Sequence, residues 1–186
     1  MQHLGTKQIE TERLILRRFE MTDAQAMFDN WASDPEVTKY MTWPAHQSVE
    51  ISGAIIFEWA SHYKEDHYYQ WAIVPKSLGK PIGSIAGFDL NEQVERIEVG
   101  YCIGRAWWHQ RIMTEALQAV IAFFLDEVGF NRVEAFHDVR NPHSGDVMRK
   151  CGMRYEGTQR SAGRNNLGIC DLHGYAILAS DREGHL

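Results

Sequence analysis

The longest regular pattern in the chain is a run of apolar side chains at Met113, Ala116, Leu117, Val120, Ile121, Phe124, Leu125 and Val128. That spacing is one helical stripe without a gap, and Gly129 follows as a C-terminal stop. Ahead of it the period shortens. Residues 13–17 read as a first strand, Asp23 as the cap of a short helix through Asn30, and 49–64 as a second helix. Between those helices, 34–44 reads as a loop rich in aromatic and polar groups. Three strand-like runs follow at 68–74, 82–90 and 95–103, with spacers short enough for antiparallel hairpins. After the long helix, 132–138 alternates as a strand, and Asn141-Pro142 opens a short helix that Gly152 ends. Residues 153–158 and 169–178 read as two last strands joined around Ala162-Gly163-Arg164-Asn165-Asn166. The order is β-α-α-β-β-β-α-β-α-β-β. The strand–helix–strand unit over 95–138 needs a crossover, so its two strands are expected to run parallel. The fold expected is a mixed α/β sheet, with a ligand crevice at the carboxyl end of the strand before the long helix.

Composition narrows the class. A chain of 186 residues suits a single domain, 1–186 with a core of about 11–180, and 44% hydrophobic with 24% charged residues is an ordinary globular balance. A net charge of −6 argues against nucleic acid or an anionic membrane surface as partner. No apolar run approaches the ~20 residues that cross a bilayer, and the polar start of the chain predicts no secretory signal. Cys102, Cys151 and Cys170 are odd in number and sit in no CxxC pair, which suits a reducing, cytoplasmic setting. None has a His/Asp arrangement beside it in sequence, so covalent catalysis is not expected. The nine histidines show no HExxH or Cys-paired spacing, so no metal site is expected. His137, His143 and His173 are left as candidates for a substrate cleft.

The crevice predicted above lies where 97–103 leads through Gly104-Arg105-Ala106-Trp107-Trp108-His109-Gln110-Arg111-Ile112 into the long helix. A helix start offers unpaired amides and a partial positive charge, which suit phosphate. The segment Trp108-His109-Gln110-Arg111-Ile112-Met113-Thr114-Glu115-Ala116-Leu117 resembles the acyl-CoA-binding motif of the GNAT N-acetyltransferase superfamily, in its RimJ/RimL-type branch. Asn141-Pro142-His143-Ser144 followed by Lys150-Cys151-Gly152-Met153-Arg154-Tyr155-Glu156-Gly157 resembles a second segment of that branch, and Thr11-Glu12-Arg13-Leu14-Ile15-Leu16-Arg17 its first strand. The matches run from Thr11 to about Leu178. The resemblance implies a mixed, mostly antiparallel twisted sheet of about seven strands with helices on both faces. Two loop positions that are commonly glycine in the superfamily hold His109 and Arg111, and Met148 stands where many members place a tyrosine general acid.

What the resemblance implies is transfer of an acetyl group from acetyl-CoA to a primary amine. That amine is either a small molecule or a protein N-terminus, a ribosomal protein's among them; no metal enters. Pyrophosphate is expected on the amides of Gln110, Arg111, Ile112, Met113 and Thr114, with Arg111 adding a guanidinium. Tyr101, Cys102 and Ile103, on a splayed or bulged strand, are expected to meet the thioester carbonyl. Glu98 is the candidate base, or else a solvated strand residue paired with Arg96. Ser144 is the candidate donor to the departing sulfur, or a plain helix cap. Asn141 contacts the pantetheine arm, or simply makes an Asn-Pro turn. Glu115 reads as compensation of the helix dipole. Tyr40 and Trp43, with His46, are expected to form the acceptor wall. A catalytically silent acyl-CoA-binding module is the alternative function, and both a monomer and a homodimer are compatible with the sequence.

Overall fold

A computed structural model describes residues 1–182. Strands β1 (Ile9–Glu10), β2 (Leu14–Arg17), β3 (Tyr69–Pro75), β4 (Gly83–Asn91), β5 (Arg96–Ile103), β6 (Arg132–Asp138), β7 (Arg154–Asn165) and β8 (Gly168–Leu178) form one sheet. Their order is β1-β2-β3-β4-β5-β6-β8-β7. Every neighbouring pair is antiparallel except β5 and β6, which run parallel as the crossover requires. The sheet thus has eight strands rather than about seven. The extra one, β1, is two residues long and carries no periodicity to detect. The last hairpin is also longer than the sequence suggests: β7 continues through 159–165, so the chain reverses at Asn165–Gly168 instead of around Ala162. Exposed polar residues occupy nearly all of β7, which left its second half without an alternating signal.

Helices α1 (Ala24–Met27, extended by a wider π-type turn over Phe28–Ala32), α2 (Pro35–Thr38) and α3 (Val49–His62) cover one region of the sheet. Helix α2 falls where the sequence reads as loop; the Asp34 carboxylate caps it by accepting from the Glu36 amide at 2.9 Å. Helices α4 (Ile112–Ala122) and α5 (Pro142–Lys150) belong to the larger core, and α6 (Ala179–Arg182) ends the described chain. Asp23 is no simple cap: its buried carboxylate binds Arg17 at 2.7 and 2.9 Å and the Glu20 amide at 2.9 Å.

Two apolar clusters result. The larger packs the α4 stripe on Trp71, Ile85, Ile97, Val99 and Val133, and the smaller packs Trp31 and Ile56 on Ala72, Val74 and Cys102. Helix α4 passes into a π-type turn at Phe123–Val128. The extra residue in that turn lets both Phe123 and Phe124 lie against Tyr69 and Trp71, with ring centroids 5.0 to 6.1 Å apart. Gly129 then leaves the helix at φ +87°, as its position after the stripe predicts.

Candidate active site

Parallel pairing of β5 with β6 covers only 96–98 against 132–134. Beyond it the strands part, β5 staying on β4 to Ile103 and β6 on β8 to Asp138. Two sets of backbone bonds decide which β5 groups face the opening. The Glu95 carbonyl accepts from the Asn131 and Arg132 amides at the start of β6, whereas the Gly104 amide donates to the Ile82 carbonyl on the β4 side. Strand alternation therefore turns the N–H groups of Val99, Tyr101 and Ile103 toward the gap. The Ile103 carbonyl is taken by Trp108 Nε1 at 2.9 Å. The Tyr101 side chain reaches α5, its hydroxyl 3.0 Å from the Ser144 carbonyl and 3.1 Å from Ser144 Oγ. Burial raises the pKa of that phenol and keeps it neutral.

At the start of α4 the Glu115 amide makes a helical bond to the Arg111 carbonyl. The amides of Ile112, Met113 and Thr114 precede it and have no acceptor within the helix. His109 and Arg111 sit at φ +61° and +59°, the left-handed region that favours glycine. The loop thus keeps the backbone shape of a glycine-bearing loop while presenting an imidazole and a guanidinium. His109 meets His143 of α5 edge-on at 5.4 Å. Glu115 does more than face a dipole. It accepts from Thr11 Oγ1 at 2.5 Å, the Arg13 amide at 2.9 Å and Arg13 Nε at 2.6 Å, while Arg13 Nη1 donates to the Gln110 carbonyl at 3.1 Å. Residues of the two sequence segments Thr11–Arg17 and Trp108–Leu117 lock together and fix the helix start.

Two cavities meet at the parted strands. One of about 340 Å³ lies between the loop and α5, lined by Tyr101, Cys102, Ile103, His109, Arg111, Ile112, Met113, Thr114, Asn141 and Ser144, and by Glu36 and Lys39 near α2. The other, of about 480 Å³, holds Glu98, Trp43, His46 and His137. Tyr40, Met41, Tyr101, Cys102, Asn141 and Ser144 border both, so a molecule filling one presents its tip to the other. Gln110 borders neither; its side chain donates to the Ala106 carbonyl at 2.8 Å. His173 also lies outside them, 2.9 Å from Thr158 Oγ1. Buried Met148 occupies the second cavity's wall.

Glu98 is not paired with Arg96. That guanidinium binds Glu134 and Asp89 instead. Burial pushes the Glu98 carboxyl up to about 7, with repulsion from Glu134 and Asp89 adding to it and Arg96 opposing. Burial likewise pushes the Cys151 thiol up to about 12 and raises that of Cys102, so neither is a ready thiolate. Among the described residues no three His, Cys, Asp or Glu side chains gather as a metal site would need.

Residues 38–43 roof the junction. Tyr40 donates to the Arg140 carbonyl at 2.9 Å, and Asn166 of the β7–β8 turn donates to the Thr38 and Trp43 carbonyls at 2.8 Å each. The sequence reading missed Asn166, and also Trp59, Gln70, Phe88 and Phe136 of the second cavity. Phe88 lies opposite Glu98 only because the β4–β5 register shifts between Phe88 and Asn91, which counting back from the hairpin turn does not reveal.

The amide cradle and the paired cavities suit an acyl-CoA, and the comparisons agree. The acetyltransferase (GNAT) domain family matches residues 13–154. The Bacillus licheniformis protein described as an uncharacterized N-acetyltransferase p20 is 30% identical over 175 residues, covering 94% of this chain and 97% of the relative. Among solved structures, the microcin C7 self-immunity acetyltransferase MccE, in complex with acetyl-CoA and AMP, superposes with a TM-score of 0.82 at 19% identity, over 90% of this chain and 93% of that one. The ribosomal-protein-S5-alanine acetyltransferase of Vibrio fischeri gives 0.82 at 18% identity, over 94% and 98%. The chain belongs to the GNAT acetyltransferase family, and it is an acetyl-CoA-dependent acyltransferase. No helix among the described residues is long and apolar enough to cross a membrane.

Proposed function

We propose that this protein transfers acetyl from acetyl-CoA to a primary amine by direct attack in a ternary complex, as one domain in the cytoplasm. The observation that carries the reading is the meeting of the two cavities at Tyr101 and Ser144, beside a carboxyl held near neutral pKa. A RimJ/RimL-type placement is supported by the likeness to the ribosomal-protein-S5-alanine acetyltransferase.

On this reading the residues divide the work as follows. The amides of Ile112, Met113 and Thr114, with Arg111, hold the diphosphate, and Asn141 lies along the pantetheine arm. Acetyl-CoA supplies an acyl carbon activated by its thioester. Amides of Val99 and Tyr101 face the gap where the carbonyl oxygen gains charge. Glu98, through a water, takes the proton that the ammonium must lose before nitrogen can attack. As the C–N bond forms and the C–S bond breaks, Ser144 Oγ donates a hydrogen bond to the departing thiolate, which takes up the second proton that nitrogen releases, and Tyr101 fixes that hydroxyl's direction.

Mixing the protein with acetyl-CoA and a panel of amines, and following thiol release, tests the reading. Turnover with one or more amines is expected; none with any amine contradicts it. Ser144→Ala is expected to lower kcat by about 10- to 100-fold. Tyr101→Phe should lower it by about 3- to 10-fold, with the KM for acetyl-CoA within about twofold, since a single neutral hydrogen bond is worth about 1 kcal/mol. An unchanged kcat in Ser144→Ala removes Ser144 from the leaving-group step. Arg111→Gly is expected to weaken acetyl-CoA about tenfold in a calorimetric titration, the size of one charge-assisted contact. The same change relieves a left-handed arginine, so the melting temperature should hold or rise. Tighter acetyl-CoA binding would show instead that Arg111 obstructs the diphosphate.

A further inference from the structure

Resting on the acetyl-transfer reading above, we propose that the acceptor is a small monoamine on an aromatic or bulky apolar body, rather than a polyamine, an aminoglycoside or a peptide N-terminus. The second cavity, about 480 Å³, is of a size that encloses a small ligand. Its wall is rich in rings: Trp43, Trp59, Phe88 and Phe136 line it together with Glu98 and Gln70. Phe88 is 46% exposed and comes so close to β5 that a Cβ on Gly100 would lie 2.8 Å from its ring. The missing side chain at Gly100 leaves room for that ring over the strand, and its cross-strand partner is Glu98, which lines the same cavity. An exposed aromatic ring and an ionisable carboxyl therefore come from paired positions in one cavity, matching a ring and an amine on one molecule.

The charge inventory decides against polycations. Glu98 is the carboxylate in this cavity without a cation among the described residues. Asp138, the other acid on the wall, is held by Arg140 at 2.6 and 2.9 Å and by Asn165 Nδ2 at 2.6 Å. A second and third ammonium would enter a ring-lined cavity with nothing to pair them. The polar inventory is too small for a peptide. Each extended residue brings an N–H and a C=O that need partners. Here Ser84 Oγ sits on Cys102 Sγ at 3.4 Å, His46 Nδ1 on Ser52 Oγ at 2.8 Å, and the Trp43 carbonyl on Asn166 at 2.8 Å. Trp31 Nε1 and His137 Nε2, on two lining residues, are the buried side-chain atoms without a partner among the described residues. They could serve about one peptide unit, whereas a hydrocarbon or aromatic body asks for no such partners.

The test compares initial rates of thiol release at saturating acetyl-CoA for phenethylamine, tryptamine, spermidine, kanamycin and an alanine-initiated hexapeptide, with acetyl-CoA affinity measured calorimetrically alongside. The arylalkylamines are expected to exceed every other acceptor in kcat/KM by about tenfold or more, which is 1.4 kcal/mol of discrimination. Phe88→Ala is expected to raise their KM about fivefold or more, by removing an aromatic contact, with acetyl-CoA affinity unchanged. A higher kcat/KM for spermidine, kanamycin or the peptide overturns the proposal, as does an arylalkylamine KM that ignores Phe88→Ala. Acetyl-CoA heat without arylalkylamine turnover overturns it while leaving the cofactor site standing. No heat from acetyl-CoA removes the acetyl-transfer reading itself.

Discussion

Glu98→Gln should cost about a hundredfold or more in kcat/KM at pH 8 and, at the same pH, make the protein more stable. The first effect follows from the role of a general base, whose removal costs about 10²- to 10⁴-fold. Only the ionised carboxyl can accept a proton, and Glu98 is pushed up to about 7 by burial and by Glu134 and Asp89. Wild-type rate should therefore climb through about pH 7 and level off, and that limb should vanish in the variant. The second effect comes from linkage. An unfolded glutamate releases its proton near 4.5, while the folded one keeps it to about 7. Between those values the native state binds more protons, so stability falls as pH rises across the window. Above it, the folded protein carries the full cost of an unpaired, half-buried charge. Solvent screening at such a site trims that cost to about 1–2 kcal/mol. Glutamine removes the charge, and melting at pH 8 should rise by a few degrees. A variant with the wild-type pH–rate profile, or one that melts lower at pH 8 with unchanged activity, would take Glu98 out of the site.

Gly104→Ala should be the most damaging small substitution near the site. Gly104 has an ordinary φ of −58°, so its constraint is space, not backbone angle. A Cβ there would fall 2.1 Å from the Asn30 carbonyl oxygen and 2.8 Å from the Trp107 ring. The ring could turn; the carbonyl belongs to the helical stretch around Trp31, and the Asn30 side chain is itself tied to the Pro81 carbonyl at 2.8 Å. Relief requires moving the α1 region away from the end of β5. The expected loss is about 3 kcal/mol or more, which is about 6–12 °C in melting temperature for a chain of this size. Because Gly104 opens the loop that leads to Arg111, acetyl-CoA affinity should fall with it. A variant melting within about 2 °C of the wild type would show that the packing of this corner is looser than described.

Much of this layout was legible beforehand, for physical reasons that can be traced. The α4 stripe and its glycine stop are local patterns, and so are the three central strands with their short turns; each appears where its period places it. The crossover rule fixed β5 and β6 as parallel without further information. What stayed hidden depends on partners distant in sequence. Two-residue β1 is a strand only because β2 lies beside it. The outer half of β7 alternates nothing because its surroundings are mostly solvent. At the site, Glu98 and Ser144 were candidates through the family resemblance rather than through any local pattern. The bond between Tyr101 and Ser144 spans 43 positions, and Asn166 reaches Thr38 across 128, so neither leaves a mark in local sequence. Glu115 shows the middle case: its place in the first helical turn suggested a dipole role, while its partners Thr11 and Arg13 come from the other end of the fold.

The most direct measurement is a calorimetric titration of acetyl-CoA set beside S-acetylcysteamine, which keeps the thioester and lacks the diphosphate. If the amides leading into α4 hold that diphosphate, acetyl-CoA should bind with a Kd of about 1–100 µM and the truncated thioester about a hundredfold more weakly or worse. Equal affinities, or no heat from acetyl-CoA at millimolar concentration, would contradict it.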